Sequence, residues 1–265
     1  MKPIIEPLEC SKKEVATGFF ETRRRMLWLP ASIGAAIILE HAGSVVAVPH
    51  SQENLMDRPV PKADSQLDWA AFLEQCEPVA AMLHKDSSAA GQEAYLYWIA
   101  SMILRARTSD VPRARVGRFG KLEPAVSFGV SYRGKPFFIV EWQLEPGAYL
   151  PPHCHPNASV CTLGLEGEAR IRNFELVGQA PEFSSRKSFL VRETHNEIMA
   201  PGRINTLSSM RDNIHTFQAG RNGARGIDIS SYHGPDVGFS FLDIAITAKD
   251  IERRLFEAAW KGQSV

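Results

Sequence analysis

Residues 147–155 read Gly147-Ala148-Tyr149-Leu150-Pro151-Pro152-His153-Cys154-His155, and the fold turns on this stretch. Along an extended strand successive side chains point to opposite faces, so His153 and His155 share one face and Cys154 takes the other. Two imidazoles converging from one strand are a ready pair of ligands for a first-row divalent metal. A third ligand has to come from elsewhere in the fold. The best candidate is His215, in Asp212-Asn213-Ile214-His215-Thr216-Phe217, at the start of a predicted strand 60 residues after His155. That gap leaves room for several intervening strands.

The sequence around these histidines has the texture of a β protein. From Pro112 to about residue 245, short runs rich in Val, Ile and Phe alternate with Gly, Pro and Asn turns. The spacing predicts strands over 125–132, 137–144, 169–174, 188–192, 204–208, 214–219, 224–230 and 238–244, the pattern of a sandwich or barrel. Upstream, apolar residues recur at helical spacing over 66–84 and 90–106, with Asp86-Ser87-Ser88 as the turn between them. These two helices are expected to form a hairpin packed on the barrel, with Trp69, Tyr95, Tyr97 and Trp98 in its core. Residues 248–261 return to a helical spacing through Ile251, Leu255, Ala258 and Ala259.

The histidine pair also sits in a longer pattern. Gly147, His153, His155 and Gly167 follow the spacing G-x5-H-x-H-x4-E-x6-G, with Val160 at the glutamate position. This resembles the first motif of the cupin superfamily. The resemblance implies a mainly β fold, a cupin double-stranded β-helix (jelly-roll barrel), here with an N-terminal helical hairpin and a C-terminal helix. Together with the helical spacing on either side, the chain divides into a hairpin over 66–111, a metal-binding cupin domain over 112–245 and a C-terminal helix within 246–265.

Three further segments sharpen the resemblance. Leu150-Pro151-Pro152-His153-Cys154-His155-Pro156, Asp212-Asn213-Ile214-His215-Thr216-Phe217, and Gly226-Ile227-Asp228-Ile229 followed by Tyr232 are similar to segments of the cysteamine dioxygenase and plant cysteine oxidase family. The likeness covers roughly residues 115–245. It implies Fe(II) held by His153, His155 and His215, with Asp228 facing the substrate amine and Tyr232 on the pocket wall. Three neutral ligands leave a dication, which attracts a thiolate and lowers the pKa of a bound thiol. The implied partners are dioxygen and a small aminothiol, or a peptide with an N-terminal cysteine, oxidised to a sulfinate. Two departures stand out. Ser230-Ser231 replaces the family's Pro-Pro, and Phe239-Ser240-Phe241 replaces its Cys-x-Tyr, so no cysteine–tyrosine crosslink is expected there. Two other readings stay open: a metal-dependent cupin acting as a carbon-substrate dioxygenase or isomerase, and a non-catalytic periplasmic cupin that holds a metal or ligand.

The N-terminal residues suggest an address. Thr22-Arg23-Arg24-Arg25-Met26-Leu27 opens an uncharged, mostly apolar run over 26–39, followed by the small-residue stretch ending Val45-Val46-Ala47. This is the layout of a signal peptide, and its arginine pair resembles the twin-arginine export signal. Residues 1–47 would be removed, leaving an exported, periplasmic protein with no stable membrane anchor, and 48–65 would be a linker. The competing reading makes 26–39 a structural helix of a cytoplasmic protein.

Composition excludes several classes. Lys plus Arg and Asp plus Glu are 30 each, so no basic excess speaks for nucleic acid. The four cysteines, Cys10, Cys76, Cys154 and Cys161, form no C-x-x-C pair, against a zinc finger or thioredoxin-like motif. No nucleophile elbow, P-loop or dinucleotide fingerprint is present. Among other polar residues, His195 and Glu197 read as an outer strand face and His233 as a candidate for the pocket mouth. Arg170 and Arg172 read as solvated, with one of them a reserve candidate for gripping a substrate carboxylate.

Overall fold

The structure, a computed structural model, describes residues 66–114, 117–119, 123–234 and 240–261. The signal and linker segments, 1–47 and 48–65, lie outside the described residues. Among the described residues two α-helices come first, α1 (Trp69–Lys85) and α2 (Ala89–Ile103). Each starts on a side-chain cap: the Asp68 carboxylate accepts from Ala71 N at 2.8 Å and the Ser88 hydroxyl from Gly91 N at 3.2 Å. Ten strands follow: β1 (Gly117–Phe119), β2 (Glu123–Arg133), β3 (Phe138–Leu144), β4 (Tyr149–Cys154), β5 (Ala158–Val177), β6 (Phe189–Met199), β7 (Ile204–Leu207), β8 (Ile214–Tyr232), β9 (Ser240–Ile244) and β10 (Leu255–Trp260). No described helix is long and apolar enough to cross a membrane.

Two long strands organise the barrel. β5 and β8 pair antiparallel along nearly their whole lengths. Their outer halves differ in company. The half of β8 that carries His215 pairs with β4, and the far half, with Asp228, pairs with β3. The ring closes through β8-β4-β9-β10-β6-β5 and back to β8, a six-stranded antiparallel barrel with β1, β2, β3 and β7 added to it. Closure leaves the six ring strands paired on both sides, and the added strands β1 and β7 end the order. This is the jelly-roll, double-stranded β-helix architecture of the cupins. The motif glycines serve its corners: Gly147 and Gly167 have φ of 72° and 65°, a left-handed backbone that β-carbons disfavour.

The helical hairpin packs on the outer face of the sheet formed by β3, β8, β5 and β7. Phe72, Leu83, Leu96 and Ile99 share one buried cluster with Ile139, Cys161, Leu163, Ile227 and Ile229. Each such side chain taken fully from water contributes about 1.5–3 kcal/mol. Trp69 and Tyr95 belong to this core as expected, but Tyr97 is half-buried and Trp98 is 52% exposed. Because these strands are covered on both faces, alternate residues go to two cores. Ile227 and Ile229 meet the helices, and Asp228 and Ser230 turn to the barrel interior.

Among the described residues the expected C-terminal helix is absent. Residues 251–254 form a turn in which Ile251 is 80% exposed, and Leu255–Trp260 is a strand paired with β9 and β6. Phe256, Ala258 and Trp260 are buried and alternate with Glu257 and Ala259, a period of two that the apolar spacing also allowed. Two neighbouring strands with open ladders decided between the periods, because a strand here satisfies the backbone groups of both. The runs read separately as 214–219 and 224–230 are one continuous strand, β8, and 169–174 is the far part of β5.

Candidate metal centre

β4 carries His153 past two prolines, and His155 follows one residue beyond its end. Neither Pro151 nor Pro152 can donate to a ladder, and the pairing of β4 with β8 shifts register between Leu150 and His153. Beyond the irregularity His153 stands directly opposite His215, in the same pairing. Their Nε2 atoms are 2.9 Å apart, and His155 Nε2 is 3.1 Å from His215 Nε2. The structure therefore brings together the three histidines that the sequence singled out.

The donor set suits a cation. His153 Nδ1 lies 2.9 Å from the Pro151 carbonyl, which can only accept, so Nδ1 carries the proton and Nε2 presents its lone pair. Burial pushes the His153 imidazole down to about 4. Burial and then the charge of His153 hold His155 well below the ordinary histidine value, and His215 is lowered by burial, His153 and His155 in that order. The three rings are thus neutral at pH 7, with their Nε2 atoms crowded together. Ligands at about 90° to one another on a metal–nitrogen distance of about 2.1 Å would stand about 3.0 Å apart, which matches. The three nitrogens form a group that can hold a metal ion, and among the described residues no carboxylate joins it. Val160, at the motif's glutamate position, is fully buried against Ala158 and Leu207. Cys154 and Cys161 turn away into separate apolar clusters.

A cavity of about 420 Å³ lies against the centre. His153, His155, Asp228 and Tyr232 all line it, so Asp228 and Tyr232 share a chamber with two of the three histidines. Asp228 is held on one oxygen: Thr162 Oγ1 donates to Oδ1 at 2.6 Å and Trp142 Nε1 donates to the same atom at 3.2 Å. Burial nevertheless raises this carboxyl to about 6, against the effect of both donors. Tyr232 is raised by burial and by the charge of Asp228, and its ring stacks on Phe138 at 5.2 Å.

The other candidates lie elsewhere. His195 Nδ1 is 3.5 Å from Asp212 Oδ2, and that carboxylate raises its imidazole above the ordinary value. Arg170 donates to Asn196, and Arg172 is paired with Glu193 at 2.6 Å, so neither arginine reaches the cavity. His233 does not line it either. The residues that sequence reading missed are the apolar cavity wall, notably Phe128, Phe138, Val140 and Phe241, and the two donors that clamp Asp228. Strand alternation marks Phe138 and Val140 as one face of β3. At this end the opposite face is apolar as well, through Phe137 and Ile139 ahead of Glu141 and Gln143, so alternation alone does not say which face meets the cavity here.

No protein-family model matches the sequence, and no curated protein is similar to it. Among solved structures, an oxalate oxidase is similar over 48% of this chain, at 16% identity and a TM-score of 0.35. The chain spans 59% of that protein's length. KdgF from Halomonas sp. is similar over 42% of this chain and 84% of its own, at 17% identity and a TM-score of 0.31. A Klebsiella pneumoniae protein with a double-stranded β-helix domain is similar over 51% and 93%, at 14% identity and a TM-score of 0.34. At TM-scores of 0.31 to 0.35 these likenesses carry no argument, and the fold rests on the strand order itself. The fold is the cupin double-stranded β-helix, and the three histidines inside it make a centre that can hold a metal ion.

Proposed function

We propose that this protein is a non-haem Fe(II) thiol dioxygenase that oxidises a small aminothiol, or an N-terminal cysteine, to a sulfinate. The observation that carries the reading is the donor set: three neutral imidazoles without a carboxylate, beside a cavity that also holds Asp228. Imidazole ligands suit iron among other first-row metals, and His153, His155 and His215 would hold it. Iron bound there would supply the redox chemistry that joins dioxygen to the thiol. Both oxygens end on sulfur, which gives up the electrons that dioxygen takes, so no outside reductant is required.

The chain's own residues do the rest. The missing carboxylate leaves the dication uncompensated, which favours a thiolate over a neutral donor. Pro151 fixes the tautomer and orientation of His153. Thr162 and Trp142 hold Asp228 on the cavity wall, where its carboxylate receives the substrate amine. The apolar wall keeps water from the reacting sulfur. The export reading of residues 22–47 would place this activity outside the cytoplasm.

The test is anaerobic loading with Fe(II), then exposure to oxygen with a thiol panel, followed by oxygen uptake and mass spectrometry. The expected result is a gain of two oxygen atoms on cysteamine or on a peptide with an N-terminal cysteine. Iron-loaded protein that consumes no oxygen with any thiol would overturn the reading.

A further inference from the structure

The cavity is much larger than a bare aminothiol needs. A two-carbon aminothiol displaces on the order of 100 Å³ if each water-sized group takes about 30 Å³. The cavity of about 420 Å³ falls in the range that encloses whole organic ligands. The space left over is not polar. Phe128 and Val130 of β2, Phe138 and Val140 of β3, and Leu150 of β4 line it. Val130 stands directly opposite Val140 in the β2–β3 pairing, and the Phe138 ring lies nearly parallel to Tyr232, at 10°. Val130 is 46% exposed, while Phe128, Phe138 and Val140 are partly exposed, so this wall presents apolar surface.

Charge on the wall has one sign. Among the described lining residues Asp228 is the single carboxylate, and none is a lysine or arginine. Its two protein donors both bond Oδ1, and Oδ2 accepts no hydrogen bond from the described residues. A buried carboxylate with an oxygen to spare, beside an apolar wall, is complementary to a cation that carries an apolar group. A ligand carboxylate on this wall would meet no lysine or arginine among the described lining residues and would face Asp228.

We propose that the cavity selects an amphiphilic aminothiol. In this arrangement the sulfur lies toward the three histidines, the amine toward Asp228 and a bulky uncharged apolar group against Phe128, Val130, Phe138 and Val140. This deepens the proposed function and rests on it for the fate of the sulfur. The recognition of amine and apolar group does not depend on any oxidation.

Calorimetry on metal-free protein, with a thiol-free series from n-butylamine to n-octylamine, tests that recognition directly. Affinity should rise about fourfold per methylene until the cavity fills, the gain expected for burying one such group. Hexanoate should not bind. Val140→Thr keeps the shape of the wall and makes it polar, so it should flatten the rise with chain length. Asp228→Asn should weaken every amine while leaving the increment per methylene unchanged. Affinity independent of chain length, or hexanoate binding as tightly as hexylamine, would overturn the proposal. With iron-loaded protein, cysteinyl-phenylalanine amide should be oxidised at least tenfold more efficiently than cysteamine. Cysteamine oxidised as well or better, with no chain-length effect, would sink this inference and leave the dioxygenase reading intact. The expected amine series with no thiol oxidation at all would do the reverse.

Discussion

Thr162 and Asp228 stand directly opposite each other in the β5–β8 pairing, and the Thr162 hydroxyl donates to Asp228 Oδ1 at 2.6 Å. Trp142 reaches the same oxygen from β3. Three strands thus fix one carboxylate in the wall of the chamber that holds the histidines. The arrangement has consequences for stability as well as for chemistry.

The Asp228 carboxyl is raised from its ordinary value to about 6, so the folded protein holds that proton more tightly than the unfolded chain. Between about pH 4 and pH 6 the folded state binds more protons, and stability from this group falls as pH rises through that window. Above about pH 6 the cost is complete. Asp228→Asn removes the charge and keeps an acceptor for Thr162 and Trp142. In metal-free protein the variant should be more stable than the native protein at pH 7.5, by about 3 kcal/mol, and no more stable at pH 4. Urea unfolding at the two pH values measures the difference.

The same substitution should impair catalysis. Loss of the charge facing the substrate amine should lower kcat/KM for aminothiols by about 10- to 100-fold, the scale of a hydrogen bond to a charged group. Iron content, measured by elemental analysis, should not change. If 3-mercaptopropionate is oxidised faster than cysteamine by the native protein, Asp228 is not the amine's partner.

Each of His153→Ala, His155→Ala and His215→Ala should abolish tight iron binding, since two protein ligands remain in each case. Dialysis against a weak chelator followed by iron analysis checks this. A variant that retains full iron and activity would remove that histidine from the centre.

Gly226 lies opposite Trp142 in the β3–β8 pairing, and a β-carbon there would come within 2.2 Å of Trp142 Cζ2 and 2.5 Å of the Leu163 carbonyl oxygen. Gly226→Ala should cost about 1–3 kcal/mol and displace the indole that bonds Asp228. Gly147→Ala meets nothing within 4 Å and suffers only from its φ of 72°, so it should cost about 1 kcal/mol. Denaturant midpoints of the two variants test this order, and a reversal would contradict the packing described for β3 and β8.

Export can be tested separately. Changing Arg23 and Arg24 together to Lys should retain the protein in the cytoplasm if residues 22–47 are read by the twin-arginine route. Cytoplasmic native protein with an intact N-terminus would instead favour a structural helix over 26–39.

Local information carried much of the centre. The spacing Gly147, His153, His155 and Gly167 was readable because strand alternation puts alternate residues on one face, and because the glycines mark left-handed corners. His215 was readable as the histidine opening a later strand, and it does stand opposite His153. The helices were legible from a period that one apolar stripe makes plain. Residues 251–260 were not. Their apolar spacing fits two periods, and the choice fell to the open ladders of β6 and β9.

The sequence by itself determined which residues could be ligands, that most of the chain past Pro112 is β, and that the glutamate position of the motif is apolar. Those are properties of single residues and their spacing, and no folding is needed to read them. Only the tertiary structure decided that Phe128, Phe138 and Val140 wall the histidine chamber while Ile139, Ile227 and Ile229 face the helices. The physical reason is that the sheet is covered on both sides. At the helix-covered end of β3 both faces are then apolar, Phe137 and Ile139 on one and Phe138 and Val140 on the other, so alternation there shows two faces without saying which core each meets. The clamp on Asp228 was equally hidden, because Trp142 and Thr162 approach it from two other strands, 86 and 66 residues away in sequence.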